Sequence, residues 1–173
     1  TINKKKDRIF FSGNIYNHID KQFGIIRDRL SIYNELKGYI SNYNNLAYKQ
    51  FIKTMSESKF SLDLIGCGDP NKRTFEILSS GSLMMSQYNN LKWPFEDEFH
   101  EMTIFSDGKE FLEKITTLRN NKVLYNECLD KQNYIYKKYM NKEYLRNYIF
   151  QHIQNNTNQH DHLPNNYVKK QIT

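Results

Sequence analysis

Residues 59–87 constrain the fold of this chain more than any other segment. They begin with a predicted buried strand from Lys59 to Leu64, pass through a turn with two glycines and a short helical stretch that stops at Gly81, and end in a second predicted buried strand from Leu83 to Met85. A strand, a glycine turn, a helix and a second strand form one unit of a parallel α/β sheet. Because ligands of such sheets bind beyond the carboxyl ends of the strands, we expect the functional site at the turn after Leu64.

The start of the helix in this unit has features that suit an anion. Asp69 is predicted to cap the helix, and Pro70 suits its first position, where the missing N–H costs nothing. Gly66 and Gly68 allow the backbone to approach a ligand closely, and the N-terminus of a helix offers unpaired N–H groups and a positive dipole end. The turn is therefore a candidate phosphate site.

Arg73 and Glu76 lie three residues apart on this helix, so they share a face near its beginning. A cation for a phosphate and a carboxylate for sugar hydroxyls, both beside a glycine turn, are what nucleotide recognition requires. The alternative is a surface salt bridge between the two side chains on an ordinary α/β helix. Composition and spacing leave both interpretations open.

Four blocks in this part of the chain together resemble a known family. The blocks are Ser58–Leu62, Gly66–Gly68, Lys72–Leu78 and Gly81–Leu83, and Trp93–Phe95 and Phe105–Asp107 extend them downstream. They resemble the donor-binding, C-terminal half of GT-B glycosyltransferases, and they look most like exostosin-like enzymes and related sugar transferases. The likeness extends over residues 8–120.

This resemblance implies a Rossmann-like α/β domain, built as a parallel sheet with helices on both faces, that holds a nucleoside-diphosphate sugar. It implies that Glu76 hydrogen-bonds the ribose hydroxyls. It also implies that Arg73 or Lys72 neutralises the diphosphate, together with the turn around Gly66 and Gly68.

A second group of candidate residues follows from the same resemblance. The apolar run 8–11 predicts a first strand, and the turn after it, at Gly13 and Asn14, matches the family's turn near the leaving phosphates. Arg27 or Arg29 would reach the same phosphates from the following helix. The number of residues between the turn at Gly13 and either arginine is larger than the family's spacing between turn and arginine.

The resemblance implies transfer of a sugar from this donor to an unknown acceptor, and it implies no metal. Positive charge and a helix dipole can stabilise the leaving diphosphate in place of a cation. A second, N-terminal domain would hold the acceptor, and it is expected to be missing from these 173 residues. The alternatives are a non-catalytic nucleotide-binding or protein-interaction domain, and a flavodoxin-like or other α/β domain in which the Arg73–Glu76 pair has no ligand.

Composition adds exclusions rather than a function. Although the net charge is +6, we expect no nucleic-acid partner, because lysines are dense only at Lys4–Lys6 and Lys169–Lys170. No apolar run approaches the roughly 18 residues of a membrane span, so we expect no transmembrane segment. Cys67 and Cys128 give neither a disulfide framework nor a metal spacing, which suits a cytoplasmic protein.

The remaining patterns complete the expected architecture of one domain. We expect a nucleotide-sugar-binding α/β domain at 1–154, with C-terminal helices at 121–154, and a polar, disordered tail at 155–173. The further predicted elements are a helix from Asp20 to Ile40, a helix at 48–55, a strand at 101–105, a helix capped by Asp107, and two helices that break near Asn141.

Overall fold

The computed structural model describes residues 5–13, 18–20, 25–27, 29–43, 46–65, 72–88 and 98–160. The strands are β1 (Lys6–Phe11), β2 (His18–Asp20), β3 (Ile25–Arg27), β4 (Ser41–Asn42), β5 (Ser58–Asp63), β6 (Leu83–Gln87) and β7 (Ile104–Phe105). The helices are α1 (Arg29–Leu36), α2 (Tyr48–Ser56), α3 (Lys72–Ser80), α4 (Gly108–Asn120), α5 (Lys122–Tyr139) and α6 (Lys142–His160).

Five of these strands form one sheet in the order β4–β1–β5–β6–β7, and every neighbouring pair is parallel. The chain moves outward from β1 to β4 and then returns across β1 to β5. This reversal makes the carboxyl ends of β1 and β5 the topological switch point, where ligands of doubly wound sheets bind.

Helices cover both faces of the sheet. On one face Phe10 and Met84 pack with Phe51 and Met55 of α2 and with apolar side chains of α3. On the other face the apolar side chains of the central strands pack with those of α1, α4 and α5, among them Cys128. Neighbouring residues of β1 and β6 therefore point to opposite cores, as the pleat of a doubly covered strand requires. The predicted Rossmann-like architecture is confirmed.

The unit formed by β5, α3 and β6 follows the sequence prediction closely. α3 ends at Ser80, and Gly81 follows it with a φ of 75°, a left-handed conformation that glycine adopts without a Cβ penalty. The predicted cap at Asp69 and Pro70 lies outside the described residues.

The helix predicted from Asp20 is wrong over its first part. Asp20 belongs to β2, which pairs in the antiparallel sense with β3 and places Asp20 opposite Ile25. The helix α1 begins only at Arg29. Ile25 and Ile26 are adjacent β-branched residues, which fit an extended strand better than a helix.

The strand predicted at 101–105 is shorter than expected. Residues Glu101–Thr103 form a 3₁₀ turn, and only Ile104 and Phe105 pair with β6. The predicted cap of the next helix is confirmed, because the Asp107 carboxylate accepts a hydrogen bond from the Glu110 N–H at 2.9 Å.

Gln132 on α5 makes an unusual link to the sheet. Its side chain is buried; its Oε1 accepts from the Met84 N–H at 2.8 Å, and its Nε2 donates to the Ser82 carbonyl at 2.8 Å. Ser82 directly precedes β6 and Met84 is its second residue, so both partners lie before the part of β6 that pairs with β7. One side-chain amide thus fixes α5 to the sheet.

The chain divides into two compact units, residues 1–136 and 137–173. The predicted break near Asn141 is present: the Asn141 side chain accepts from the Tyr144 N–H at 2.8 Å, at the start of α6. α6 continues to His160, although the polar composition predicts a disordered tail from residue 155, and residues 161–173 lie outside the described part. No helix among the described residues is long and apolar enough to cross a membrane.

Candidate functional site

A cleft of about 480 Å³ opens at the switch point of the sheet. The ends of β1 and β5 contribute Gly13 and Asp63 to its lining, and the first residue of α1 contributes Arg29. The first two turns of α3 add the charged side chains of Lys72, Arg73 and Glu76. Among the described residues, the lining holds three cationic and two carboxylate side chains, an excess of positive charge that suits a ligand with negative charge.

Lys72, Arg73 and Glu76 of α3 form a charged wall of the cleft, and Glu76 pairs with both cations. Its Oε1 is 3.5 Å from the Lys72 Nζ, and its Oε2 is 3.6 Å from the Arg73 Nη1. The Glu76 side chain is only 12% exposed, whereas that of Arg73 is 27% and that of Lys72 is 80% exposed. The ion pair considered from the sequence is present, but it lies in the wall of a cleft and not on an open helix surface.

Arg73 is the most deeply placed cation on α3. Burial lowers the pKa of its guanidinium, the Glu76 and Asp63 carboxylates raise it, and the Arg29 charge lowers it. The guanidinium carbon stands 4.2 Å from the centre of the Phe51 ring, a distance at which a cation and an aromatic face attract each other. The charge of Arg29 on α1 thus acts on the Arg73 guanidinium of α3.

Arg29 is held at the end of β5 by backbone acceptors. Its Nε donates to the Ile65 carbonyl at 2.9 Å and its Nη2 to the Leu64 carbonyl at 3.1 Å. Gly13 is next to it: a Cβ placed on Gly13 would lie 3.6 Å from the Arg29 Nη1. The arginine therefore ties the start of α1 to the segment that follows β5, and it lies beside the turn after β1.

Asp63 is a cleft residue that the sequence patterns did not single out. It is the last residue of β5 and is buried, with 6% of its surface exposed, and its Oδ2 accepts from the Thr74 hydroxyl of α3 at 2.7 Å. This bond holds the first turn of α3 against the end of β5. The available signal was a carboxylate at the carboxyl end of the predicted strand, at the position where parallel strands present ligands.

An aromatic wall faces these charges. Tyr48 and Phe51 of α2 both line the cleft and stack with a ring-centre distance of 6.3 Å. Tyr48 is 64% exposed, and the Lys72 Nζ lies 5.4 Å from its ring centre. The sequence pattern places both aromatic residues on one side of a helix and predicts that this side packs against the core. It does not show that they lie near α3, because the residues of α3 are distant along the chain.

Five of the nine residues predicted for donor binding line this one cleft, and the side chains of the other four are outside the described part of the structure. The five are Gly13, Arg29, Lys72, Arg73 and Glu76. The Arg27 backbone lies in β3, and its side chain is not described; Asn14, Gly66 and Gly68 lie outside the described residues. Within the described part of the chain, no group of three or more side chains is arranged to hold a metal ion.

The sequence matches a known protein family, and the fold is similar to that of a solved structure. Residues 17–162 match a family described as "Glycosyl transferase-like". No curated protein is significantly similar in sequence. Among solved structures, the fold is similar to "T4 phage BGT in complex with UDP and Mn2+", with a TM-score of 0.51 and 14% identity, over 80% of this chain and 45% of that chain.

This chain spans less than half the length of the T4 phage protein, and at 14% identity the likeness concerns the fold. The fold in question is that of a GT-B glycosyltransferase domain. Because the family match covers most of the sequence, the chain belongs to the glycosyl transferase-like family.

Proposed function

We propose that this domain binds a nucleoside-diphosphate sugar in the cleft and supplies the donor half of a glycosyltransferase. The observation that carries the proposal is the charged wall of α3 at the switch point. There a carboxylate and two cations, Glu76 with Lys72 and Arg73, face the end of the central strands. The family match supports sugar transfer as the reaction.

In this proposal the diphosphate lies among the cations Arg29, Lys72 and Arg73. Arg73 suits the task because its guanidinium offers several N–H donors in one plane, which match the oxygens of a phosphate. Glu76 would accept hydrogen bonds from the ribose hydroxyls. The exposed face of Tyr48 at the rim offers a surface on which a base can stack.

The chemical contribution of this domain is to stabilise the leaving group. Breaking the bond between sugar and diphosphate leaves negative charge on the phosphate oxygens, and fixed cations nearby favour that charge. Three cationic side chains in the cleft can supply this stabilisation without a metal, so we propose a metal-independent site. The acceptor, and the general base where one is needed, would belong to a second domain. The closer relation to exostosin-like enzymes stays a prediction from the sequence.

Calorimetric titration with UDP and GDP tests the proposal. The T4 phage structure contains UDP and Mn²⁺, so UDP is the first ligand to try and Mn²⁺ the first metal. We expect nucleoside diphosphate to bind equally well with EDTA and with added Mn²⁺. Binding that disappears on chelation would contradict the metal-independent site. Binding of neither nucleotide under either condition would contradict donor binding itself.

Activity gives a second test, because proximity and orientation of donor and acceptor need both domains. The purified 173-residue chain should bind nucleotide and transfer no sugar. Transfer by this chain alone would contradict the two-domain arrangement. Nucleotide binding without transfer, even after an acceptor-binding domain is restored, would favour a non-catalytic nucleotide-binding module.

A further inference from the structure

The two oxygens of the Glu76 carboxylate each face a cation. Lys72 approaches one oxygen and Arg73 the other, at 3.5 and 3.6 Å. These distances exceed the roughly 2.7–2.9 Å of a tight hydrogen bond between an ammonium or guanidinium group and a carboxylate. The contacts are therefore ion pairs that can exchange partners without breaking a well-formed hydrogen bond.

The same three side chains carry different parts of the proposed donor. If the cations hold the diphosphate and Glu76 holds the ribose, then Lys72 and the ribose hydroxyls compete for one carboxylate. A phosphate group that attracts Lys72 removes this competitor. Lys72 can move at little cost, because its side chain is 80% exposed, whereas Arg73 is partly buried and stands over the Phe51 ring.

We propose that Lys72 couples recognition of the diphosphate to recognition of the ribose, so that the cleft selects nucleoside diphosphates over free nucleosides. The selection comes from two effects of one side chain: Lys72 attracts the phosphates, and it occupies Glu76 when phosphates are absent. This inference rests on the proposed function, in which Glu76 binds the ribose.

Coupling between two halves of one ligand is reciprocal. If pyrophosphate raises the affinity for a nucleoside by some factor, then the nucleoside raises the affinity for pyrophosphate by the same factor. An exposed ion pair between residues four apart on a helix is weak, so the factor carried by Lys72 is about two to three. Such a factor is measurable when both halves are titrated on the same protein.

The experiment uses whichever of UDP, GDP and ADP binds most tightly, its parent nucleoside, and inorganic pyrophosphate. For the wild-type chain we expect saturating pyrophosphate to tighten nucleoside binding about two- to threefold. Lys72→Met keeps the length of the side chain and removes its charge. The variant should bind the free nucleoside about two- to threefold more tightly than wild type, lose the effect of pyrophosphate, and bind the diphosphate more weakly.

The chain offers a matched control on the neighbouring helix. Lys53 and Glu57 also lie four residues apart, with 4.0 Å between the Lys53 Nζ and a Glu57 oxygen, and neither lines the cleft. Lys53→Met removes the same kind of pair and should change none of the three affinities. Thermal melts of both variants show that they are folded.

Two results would overturn the inference. One is a Lys72→Met protein whose nucleoside affinity is unchanged or lower, since Lys72 would then act on the phosphate alone. The other is an effect of pyrophosphate that persists in this variant. Failure of the proposed function looks different: the wild-type chain then binds none of the three diphosphates.

Discussion

The two edges of the central sheet use lysine and arginine in different ways. At the amino edge the Lys5 Nζ donates to the Ser56 carbonyl at 3.1 Å and to the Gly81 carbonyl at 2.6 Å, at the ends of α2 and α3. At the carboxyl edge Lys72 and Arg73 stand at the start of α3 and pair with a side chain. A lysine thus stands at each end of α3: Lys5 binds a backbone carbonyl at its end, and Lys72 pairs with a carboxylate at its start.

Burial alone does not separate the two edges, because it lowers the pKa of both Lys5 and Arg73. The difference lies in their partners. Carbonyl groups at the end of a helix need donors, so a cation there completes the helix. A carboxylate in a cleft can accept from a ligand as well. Substitutions at the amino edge should therefore change stability, and those at the carboxyl edge should change binding.

The largest effect is expected for Arg73→Ala. Loss of a charge-assisted contact should weaken diphosphate binding by about 2–3 kcal/mol, and nucleoside binding by less. The free energy of unfolding should fall by about 1–2 kcal/mol, because the contact with the Phe51 ring and the ion pair with Glu76 are both lost. Nucleotide titrations beside thermal melts measure both changes. Unchanged diphosphate affinity in a folded variant would contradict a binding role for the cations at the carboxyl edge.

Glu76→Ala should weaken nucleotide binding by about 1.5–3 kcal/mol, the usual value of a hydrogen bond to a charged group. Glu57 provides the control, because it also pairs with several cations, Lys6, Arg8 and Lys53, and does not line the cleft. Glu57→Ala should leave the affinity unchanged. If Glu76 were only a partner for α3 cations, its loss would cost at most about 0.5 kcal/mol of stability and would not affect binding.

Arg8→Met tests the amino edge. The Arg8 guanidinium donates to the Ser58 hydroxyl at 2.8 Å and to the Thr54 carbonyl at 2.7 Å, so it joins β1 to the end of α2. Its removal should lower the free energy of unfolding by about 1.5–2.5 kcal/mol. Denaturant unfolding gives this value, and nucleotide affinity at a temperature where the variant is folded should equal that of wild type. A loss of affinity would show that the two edges are not independent.

The smallest change in stability at neutral pH is expected for Tyr125 of α5, which packs against one face of the sheet, away from both edges. Burial raises the pKa of Tyr125 to about 12, with a further contribution from Asp7, and the Tyr125 hydroxyl donates to the Lys59 carbonyl at 3.1 Å. Tyr125→Phe should cost about 1 kcal/mol of stability at pH 7.

The pH dependence of this contribution has a definite sign. Because the pKa of Tyr125 is near the ordinary tyrosine value of 10.0 in the unfolded chain and about 12 in the folded one, the unfolded state binds fewer protons in that range. Stability contributed by Tyr125 is therefore complete below pH 10 and lost as the pH rises toward 12. Denaturant titrations across this range should show a shallower decline in the variant. The burial that raises the pKa of Cys128 to about 11 adds a decline that both proteins share. Equal slopes would contradict the assignment.

The parts of the fold that sequence predicts are those in which local signals agree. Gly81 and the apolar runs on either side of α3 are close together in the chain, and so are Asp107 and Glu110 at the next helix. The β2–β3 hairpin was missed because apolar residues around Ile26 also fit a helical period. These residues form strands because β2 and β3 pair with each other, and the hydrophobic period of one segment does not show which segments pair.

The site divides in the same way. Arg73 and Glu76 are neighbours on one helix, so their spacing predicts that they meet. Tyr48 and Asp63 reach the cleft from other elements, and their proximity depends on the order of strands in the sheet. Sequence reasoning therefore found the charged residues of α3 and missed Asp63 and the aromatic wall.

The amide of Gln132 has a consequence beyond fixing α5. Because β7 pairs, among the described residues, with the last two residues of β6 alone, the first part of β6 would without Gln132 present backbone groups like those of a strand edge. Such an edge can recruit a strand from another molecule and lead to aggregation. Gln132 satisfies one N–H and one carbonyl there, as a neighbouring strand would. At this point of the sheet a single side-chain amide thus takes the place of a pairing strand.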